Sequence, residues 1–245
     1  MRTAATIADQ QGTAPIQEHK AAPGDSTRLD LNRSSSGYTN AAGQIAWSAL
    51  QGRGTQARFH AFLSTQGKIL NLGTLGGRSS TIAGLNAAGH VIGWSETPHE
   101  GQHAFLWKDG RMTDLGVLPG GKNSYAYALN DQDQVVGKSE VSGQLWHDFL
   151  WSEGKLADLG VLRGGTESGA QGLNSRGEVV GWSEDSQERI RAVVWKQGKP
   201  LDLSYEIAPG SGYVLEYARA IHEAGQIEGV GKRNGQTQAF LLMPR

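Results

Sequence analysis

The chain has 245 residues, and its 23 Lys and Arg against 24 Asp and Glu give a formal net charge of -1. Such a balance lacks the basic footprint that a phosphate backbone requires, so nucleic acid is not expected as a partner. The absence of cysteine excludes disulfides and thiolate chemistry, and no stretch approaches the ~20 apolar residues of a membrane-spanning helix.

Residues 1–27 differ in composition from the rest of the chain. They include Pro15 and Pro23 and contain no continuous apolar region of the kind that directs export. The sequence predicts a flexible N-terminal arm over residues 1–27 and one domain over residues 28–245. No export signal is visible, so a cytoplasmic location is expected of the chain as it stands.

One pattern recurs from residue 28 onward. Its first anchor, Asn-x-x-Gly or His-x-x-Gly, recurs at intervals of 46, 44, 44 and 48 residues, beginning at Asn40, Asn86, Asn130, Asn174 and His222. Its second anchor is His-Ala-Phe-Leu-Trp or a variant, beginning at His60, His103, His147, Ala192 and Ala239. An Asp-Leu or Asn-Leu pair follows in four of the units, at Asn71, Asp114, Asp158 and Asp202, and another Asp-Leu pair precedes the first unit at Asp30. A period of 40–50 residues in a Gly-rich chain is typical of a solenoid or a β-propeller.

The third unit illustrates the expected strands. Residues 124–129 read as a first strand, 134–139 as a second, 147–151 as a third and 155–159 as a fourth. Four strands in a meander form one propeller blade. The Ala- and Gly-rich first strand is expected to be innermost, because small residues allow backbones to approach closely.

The two ends of the chain suggest how the ring closes. The last unit stops after its third strand, and residues 28–31 form an extra copy of the outer, fourth strand. We expect this N-terminal strand to pair with the C-terminal strand and so remove the exposed sheet edges. The predicted fold is therefore all-β, a closed five-bladed β-propeller of four-stranded blades.

The combined phrases His-Ala-Phe-Leu-Trp, Asp-Leu-Gly-x-Leu-x-Gly-Gly and Asn-x-x-Gly-x-Val-Val-Gly-x-Ser resemble the HAF-repeat family. This is a group of bacterial propeller-like repeat proteins that are often predicted to be extracellular. The resemblance covers residues 28–245 and implies no particular reaction or ligand. It leaves the location of the protein open, because the family's usual export signal is not visible here.

Residues present in every unit are interpreted as scaffold. The repeated His60, His103 and His147 open third strands, which lie too far apart for zinc to bind three of them at ~2 Å. We therefore predict hydrogen bonding for these histidines, with no metal and no cofactor. The repeated tryptophans are expected to pack between blades, although exposed platforms for sugars are the alternative.

Residues that break the repeat are the candidates for a site. They lie on the inner strands and on the side of the long, variable loops, where a rigid scaffold presents binding residues. The predicted ligand-binding residues are Tyr125, Tyr127, Trp146, Gln171, Tyr213, Tyr217 and Arg219.

These residues predict a binding module for a small molecule or carbohydrate, held in a funnel at the propeller axis on the long-loop face. An enzyme of lyase, cyclase or glycoside hydrolase type using the same pocket is the alternative. Its candidate acid, base and anion-stabilising residues are Glu216, Tyr217, His222 and Arg219. A scaffold for a protein partner is a third interpretation.

Overall fold

The computed structural model describes the backbone of residues 29–34, and residues 37–52, 54–99, 101–142, 145–196 and 198–244 in full. The predicted arm over residues 1–27 lies outside this part of the chain. The described residues are all-β, as predicted, with short 3-10 turns between some strands. They contain no helix long and apolar enough to cross a membrane.

The strands form five consecutive antiparallel sheets. The first sheet contains β1 (Leu29–Ser34), β2 (Tyr38–Thr39), β3 (Ile45–Gln51), β4 (Arg58–Thr65) and β5 (Lys68–Asn71). The second contains β6 (Ser80–Leu85), β7 (Val91–Glu96), β8 (Gln102–Lys108) and β9 (Arg111–Gly116). The third contains β10 (Ser124–Leu129), β11 (Val135–Glu140), β12 (Trp146–Ser152) and β13 (Lys155–Asp158).

The last two sheets continue the series. The fourth contains β14 (Ser168–Leu173), β15 (Val179–Glu184), β16 (Ile190–Lys196) and β17 (Lys199–Asp202). The fifth has three strands, β18 (Tyr213–Ile221), β19 (Ile227–Arg233) and β20 (Gln236–Leu242). In each of the last four sheets the first strand packs against the preceding sheet: β6 against β3 and β4, β10 against β7 and β8, β14 against β11 and β12, and β18 against β15 and β16. This succession of sheets is the arrangement of propeller blades.

The predicted closure of the ring is wrong. β1 pairs with β3 instead of β20, with Leu29 opposite Gln51 and Asp30 opposite Leu50. β1 and β2 together take the inner position of the first sheet, and no described strand pairs with the outer edge of β20. The connection between β1 and β3 is ten residues long, residues 35–44, and closing it costs less loop-closure entropy than pairing across the whole chain. Arg28, the first residue of the predicted closing strand, lies outside the described part of the chain.

The hydrophobic core lies between neighbouring sheets. Phe149 of the third sheet is fully buried and packs in one cluster with Ile92 and Leu106 of the second. A glycine in the second strand of the last four sheets, at Gly93, Gly137, Gly181 and Gly229, explains the close approach of that strand to the inner strand. A Cβ atom at Gly137 would lie 2.0 Å from the carbonyl oxygen of Tyr125, so the pairing of β10 with β11 requires glycine there.

The repeated asparagines connect one sheet to the next. The Nδ2 atom of Asn40 donates to the carbonyl oxygen of Asn86 at 2.9 Å, and Asn86 donates to that of Asn130 at 3.2 Å. Asn130 in turn donates to the carbonyl oxygen of Asn174 at 2.9 Å. We call these four residues the Asn ladder. The Asn ladder explains why the first anchor of the repeat recurs: its asparagines join neighbouring sheets and so belong to the scaffold.

Candidate functional site

The repeated histidines are hydrogen bonded in two sheets. His103 Nδ1 lies 2.9 Å from Asp114 Oδ2, and His147 Nδ1 lies 2.9 Å from Asp158 Oδ2. Each pair joins the third strand of a sheet to its fourth strand, which agrees with the predicted role. His60 differs, because its Nδ1 atom is buried and has no hydrogen-bond partner among the described residues.

Two of the repeated tryptophans pack between sheets. Trp94 contacts Tyr125 of the next sheet edge-on, with ring centroids 5.6 Å apart, and Trp182 contacts Tyr217 in the same way at 6.3 Å. Trp47 does not share this role. It stacks on Phe62 of its own sheet at 5.7 Å, because the register sets it one residue before the position of Trp94.

The third sheet replaces the tryptophan with a cation. Lys138 has the position that Trp94 and Trp182 have in the second and fourth sheets. Its Nζ atom lies 4.8 Å from the ring centroid of Trp146, 5.8 Å from that of Tyr125 and 5.9 Å from that of Tyr127. We call Tyr125, Tyr127 and Trp146 around Lys138 the aromatic cluster.

Strand register brings the cluster together. Tyr125 on β10 is opposite Lys138 on β11, which is opposite Asp148 on β12. Trp146 precedes Asp148 by two residues on β12, so the two side chains share one face of the sheet. Two of the three rings also contact each other, with the centroids of Tyr125 and Trp146 5.7 Å apart.

The neighbouring sheet has no tyrosine facing the cluster. In two other sheet pairs a tyrosine of the next inner strand meets the tryptophan, but the fourth sheet has Gly169 at that position. A Cβ atom at Gly169 would lie 2.2 Å from Trp182 Nε1, so the indole lies where a side chain would stand. The inter-sheet Trp–Tyr pair is therefore absent between the third and fourth sheets, where Lys138 replaces the tryptophan and Gly169 the tyrosine.

Asp148, which is opposite Lys138 in the strand pairing, places a buried carboxylate beside the aromatic cluster. It is 2% exposed, and its Oδ2 atom accepts a hydrogen bond of 2.7 Å from Ser168 Oγ of the fourth sheet. Burial raises the pKa of the Asp148 carboxyl group, and the hydrogen bonds from Ser168 and the Ala170 backbone oppose that rise only in part. The positive charge of Lys138 also favours the ionised form.

The two tyrosines of the cluster remain protonated at neutral pH. Burial raises the pKa of the Tyr127 hydroxyl group well above its usual value, and the charge of Asp148 raises it further. Burial and Glu140 act in the same direction on Tyr125. The Tyr125 hydroxyl donates a hydrogen bond of 2.9 Å to Gln102 Oε1, whereas Tyr127 is 43% exposed and open to a ligand.

The other predicted ligand-binding residues belong to the fourth and fifth sheets. Gln171 is exposed on the inner strand of the fourth sheet, and Arg219 is exposed on that of the fifth. The Tyr213 ring lies 5.0 Å from the guanidinium carbon of Arg233, and Tyr217 packs against Trp182. Of the predicted residues, Tyr125, Tyr127 and Trp146 therefore surround Lys138 within the third sheet.

The candidate catalytic residues do not converge. Glu216 is paired with Lys232 at 2.7 Å. His222 follows the last residue of β18, five residues after Tyr217, which is about 17 Å along an extended strand. The nearest acid to His222 is Glu228 at 3.7 Å, at the turn end of the sheet. Because His222 is so far from the other two, a small substrate cannot contact Glu216, Tyr217 and His222 at the same time.

Two cavities open among the long loops. One of about 640 Å³ is lined by Gly76, Gly77, Arg78, Glu96, Thr97, Pro98, Gly101, Gln102 and Asn123. It adjoins the aromatic cluster through Gln102, whose Oε1 atom accepts a hydrogen bond from the Tyr125 hydroxyl group. The other, of about 510 Å³, lies between the first and second sheets. Both cavities lie on the loops that the sequence assigned to the binding face.

Sequence reasoning missed two members of the site, Lys138 and Asp148. The signal was present in two columns of the repeat. The Trp94 position contains Ser48, Trp94, Lys138, Trp182 and Val230, with one cation. The Asp148 position contains Ala61, Ala104, Asp148, Ala192 and Ala239, with one carboxylate. Both departures occur in the third sheet, in the same row.

Comparison with known proteins concerns the fold. No protein-family model matches the chain, and no curated protein matches it significantly. A puromycin-hydrolysing peptidase from Mycobacterium tuberculosis is similar with a TM-score of 0.50 and 14% identity over 86% of this chain, which spans 38% of the peptidase chain.

Two further similar structures are described as propellers. The β-propeller domain of the Trilobed protease from Pyrococcus furiosus, described as having an open velcro topology, has a TM-score of 0.37 and 7% identity, covering 86% of this chain and 82% of its own. The six-bladed fucose-recognising lectin of Aleuria aurantia has a TM-score of 0.39 and 13% identity, covering 90% and 79%. These identities bear on the fold alone. The succession of antiparallel sheets gives an all-β protein with the arrangement of propeller blades, and its described strands leave the ring open.

Proposed function

We propose that the protein is a binding module for a small polar ligand, and for a carbohydrate in particular, held at the aromatic cluster. The observation that carries this proposal is Lys138, which replaces a packing tryptophan and is surrounded by three aromatic rings. Scaffold packing explains the tryptophans of the second and fourth sheets. It gives no reason for a cation at the same position of the third.

The chemistry of the cluster suits a sugar. The faces of Trp146 and Tyr127 offer flat apolar surface to the C–H face of a pyranose ring. Lys138 Nζ provides three N–H donors for hydroxyl oxygens, and no described carboxylate lies within ion-pair distance of it. Asp148 is opposite Lys138 in the pairing of β11 with β12, and its Oδ2 atom accepts a hydrogen bond from Ser168 Oγ.

Binding is favoured over catalysis by the residues at hand. Asp148 is buried and bonded to Ser168, and the candidate residues Glu216 and His222 lie in a different sheet. A glycosidase requires two carboxyl groups roughly 5–10 Å apart across one bond. We further propose that the chain belongs among the HAF-repeat proteins, with this site as a specialisation of its third repeat.

The proposal is tested by titration calorimetry against a panel of neutral and amino monosaccharides and short oligosaccharides. The variants are Trp146→Ala and Tyr127→Ala, and the control is Tyr205→Ala, since Tyr205 is 85% exposed and distant in sequence from the cluster. Loss of one stacking ring is expected to weaken binding about tenfold or more, whereas the control keeps the wild-type Kd.

Thermal unfolding of the same variants separates binding from folding. We expect the midpoint of Trp146→Ala to remain within a few degrees of the wild type without ligand, and the ligand-induced rise in midpoint to disappear. A sugar that binds both variants with the wild-type Kd would place the site elsewhere. No binding by any member of the panel would also contradict the carbohydrate assignment.

A further inference from the structure

The cavity between the first and second sheets is basic. Its volume is about 510 Å³, and it is lined by Gln51, Gly52, Gln56, Arg58, His60 and Arg78. Three of these residues have basic side chains and none is acidic. In a chain with a net charge of -1, such a local excess of positive charge is not a consequence of composition.

The first sheet has lost the acid that neutralises this position elsewhere. His103 and His147 are each paired with an aspartate eleven residues later, Asp114 and Asp158. The residue eleven positions after His60 is Asn71, in the same register on the fourth strand. The Asn71 amide donates to Gln51 Oε1 at 2.7 Å, and His60 Nδ1 remains buried without a partner among the described residues.

A second acid is replaced in the same way. In the fourth sheet Arg189 and Arg191, at the positions of Arg58 and His60, are both paired with Asp185 at 2.9 and 3.0 Å. The first sheet has Gln51 at the position of Asp185. The first sheet thus has amides, Asn71 and Gln51, at two positions where other sheets have carboxylates, while the basic residues beside them are retained.

The arginines are held in place without being neutralised. Arg58 Nη1 donates to the carbonyl oxygens of Thr55 and Ala57 at 2.8 Å each, which orients the guanidinium group. The backbone N–H of Arg78 is held by Glu96 at 3.0 Å, and that carboxylate lines the neighbouring cavity rather than this one. Neither guanidinium is ion paired with a carboxylate of the described residues.

We propose that this cavity is a binding site for a small oxyanion, a phosphate, sulfate or carboxylate group, recognised by Arg58, Arg78 and His60. A guanidinium group matches the oxygens of such an anion with two parallel N–H donors. The buried nitrogen of His60 gains the partner that it otherwise lacks. The site is distinct from the aromatic cluster, so its test is independent of the carbohydrate proposal.

The experiment measures anion binding by titration calorimetry of the full chain with inorganic phosphate, sulfate and acetate at low ionic strength. Sodium chloride of equal ionic strength serves as the blank, because non-specific screening affects all salts alike. The variants are Arg78→Gln and Asn71→Asp. The control is Lys122→Gln, since Lys122 occupies the position of Arg78 in the loop before the third sheet and its loss changes the net charge equally.

We expect saturable binding of at least one of the three anions and a loss of affinity of about tenfold in Arg78→Gln. Asn71→Asp restores the His-Asp pair of the other sheets and is expected to abolish binding while the protein stays folded. Lys122→Gln should change Kd by less than twofold. The preference among the three anions identifies the group that is recognised.

A second readout uses the imidazole of His60. Its 15N resonance is expected to shift on addition of the bound anion in the wild type and in Lys122→Gln, and not in Asn71→Asp. The proposal is overturned if no anion binds more tightly than chloride, if Arg78→Gln and Lys122→Gln bind equally, or if the His60 resonance does not respond. Circular dichroism of each variant ensures that a loss of binding is not a loss of folding.

Discussion

Asp148 occupies a position that is alanine in all four other sheets, Ala61, Ala104, Ala192 and Ala239. At 2% exposure its carboxylate is deprived of water, and the hydrogen bond from Ser168 returns only part of that loss. A buried carboxylate at a position that is otherwise alanine lowers the stability of the fold. Its presence here therefore indicates a role specific to the third sheet. In this row the carboxylate lies opposite Lys138, the cation of the aromatic cluster, whose charge favours the ionised form of Asp148.

We predict that Asp148→Ala stabilises the protein at pH 7 by about 1 kcal/mol, because it restores the residue of the other repeats and removes a buried charge. Since the folded pKa of Asp148 is raised, the wild type gains stability as the pH falls through that pKa, and the gain is complete below the unfolded value of about 3.9. The advantage of the variant should therefore shrink between pH 7 and pH 4, as measured by urea unfolding.

Asp148→Asn provides the control for this experiment. It keeps an oxygen that accepts the Ser168 hydrogen bond but cannot ionise. Its stability should follow the pH dependence of Asp148→Ala rather than that of the wild type. Destabilisation of both variants at pH 7 would show that the ionised carboxylate contributes to folding, which contradicts the argument from burial.

Part of the candidate site could be predicted from sequence, for a physical reason. Tyr125, Tyr127 and Trp146 break the repeat, and they meet because they lie in one sheet, where register fixes neighbours. Gln171 and Arg219 share the column of Tyr127 but belong to other sheets. Their neighbours depend on how one sheet packs on the next, which the register within the third sheet does not fix.

At the scale of the elements, the Asn ladder joins the turns of successive sheets. Asn130 shows why one residue type recurs there. Its Oδ1 atom accepts from the backbone N–H groups of Gln132 and Gln134 at 3.1 and 2.9 Å, while its Nδ2 atom reaches the next sheet. The same amide therefore closes its own turn and fastens that turn to the following one.

We predict that Asn130→Ala lowers the free energy of unfolding by about 2 kcal/mol, because partly buried backbone groups on two sheets lose their partners. The matched control is His222→Ala. His222 opens the equivalent turn of the fifth sheet, where its side chain is half exposed and no described sheet follows. That substitution should change stability by less than about 0.5 kcal/mol. Equal losses in denaturant unfolding would contradict the role of the ladder.

The strands themselves were largely predictable, whereas the closure of the ring was not. Asn-x-x-Gly turns fix the hairpin between first and second strands, so the order of strands within each sheet follows from local sequence. The alternation of apolar and acidic residues in Leu29, Asp30 and Leu31 is compatible with a strand at either the inner or the outer edge of a sheet. Which edge it joins depends on distances in the folded chain, which a repeated motif does not encode.

At the scale of the whole molecule, the fifth sheet ends on β20 with no described strand beyond it. Every third strand of the preceding four sheets is flanked on both sides. Some backbone N–H groups of β20 point away from β19. These groups have no hydrogen-bonded partner strand within the described chain. Alternate residues of an antiparallel strand face opposite neighbours.

We predict that amide hydrogen exchange along Gln236–Leu242 alternates between protected and fast-exchanging positions. The corresponding strands β8 and β12, flanked on both sides, should be protected at successive positions. Exchange measured by NMR distinguishes the two patterns residue by residue. Uniform protection along β20 would mean that another strand pairs with its outer edge.

The Asn ladder also has a consequence for how such a chain changes length during evolution. Asn86 and Asn130 are 44 residues apart, and each contains both halves of the joint, an amide that donates forward and a carbonyl oxygen that accepts from behind. Tandem duplication of one such unit copies donor and acceptor together. The inserted unit is therefore fastened to both neighbours without any compensating substitution, and a gene encoding this protein can gain or lose whole blades in a single recombination event.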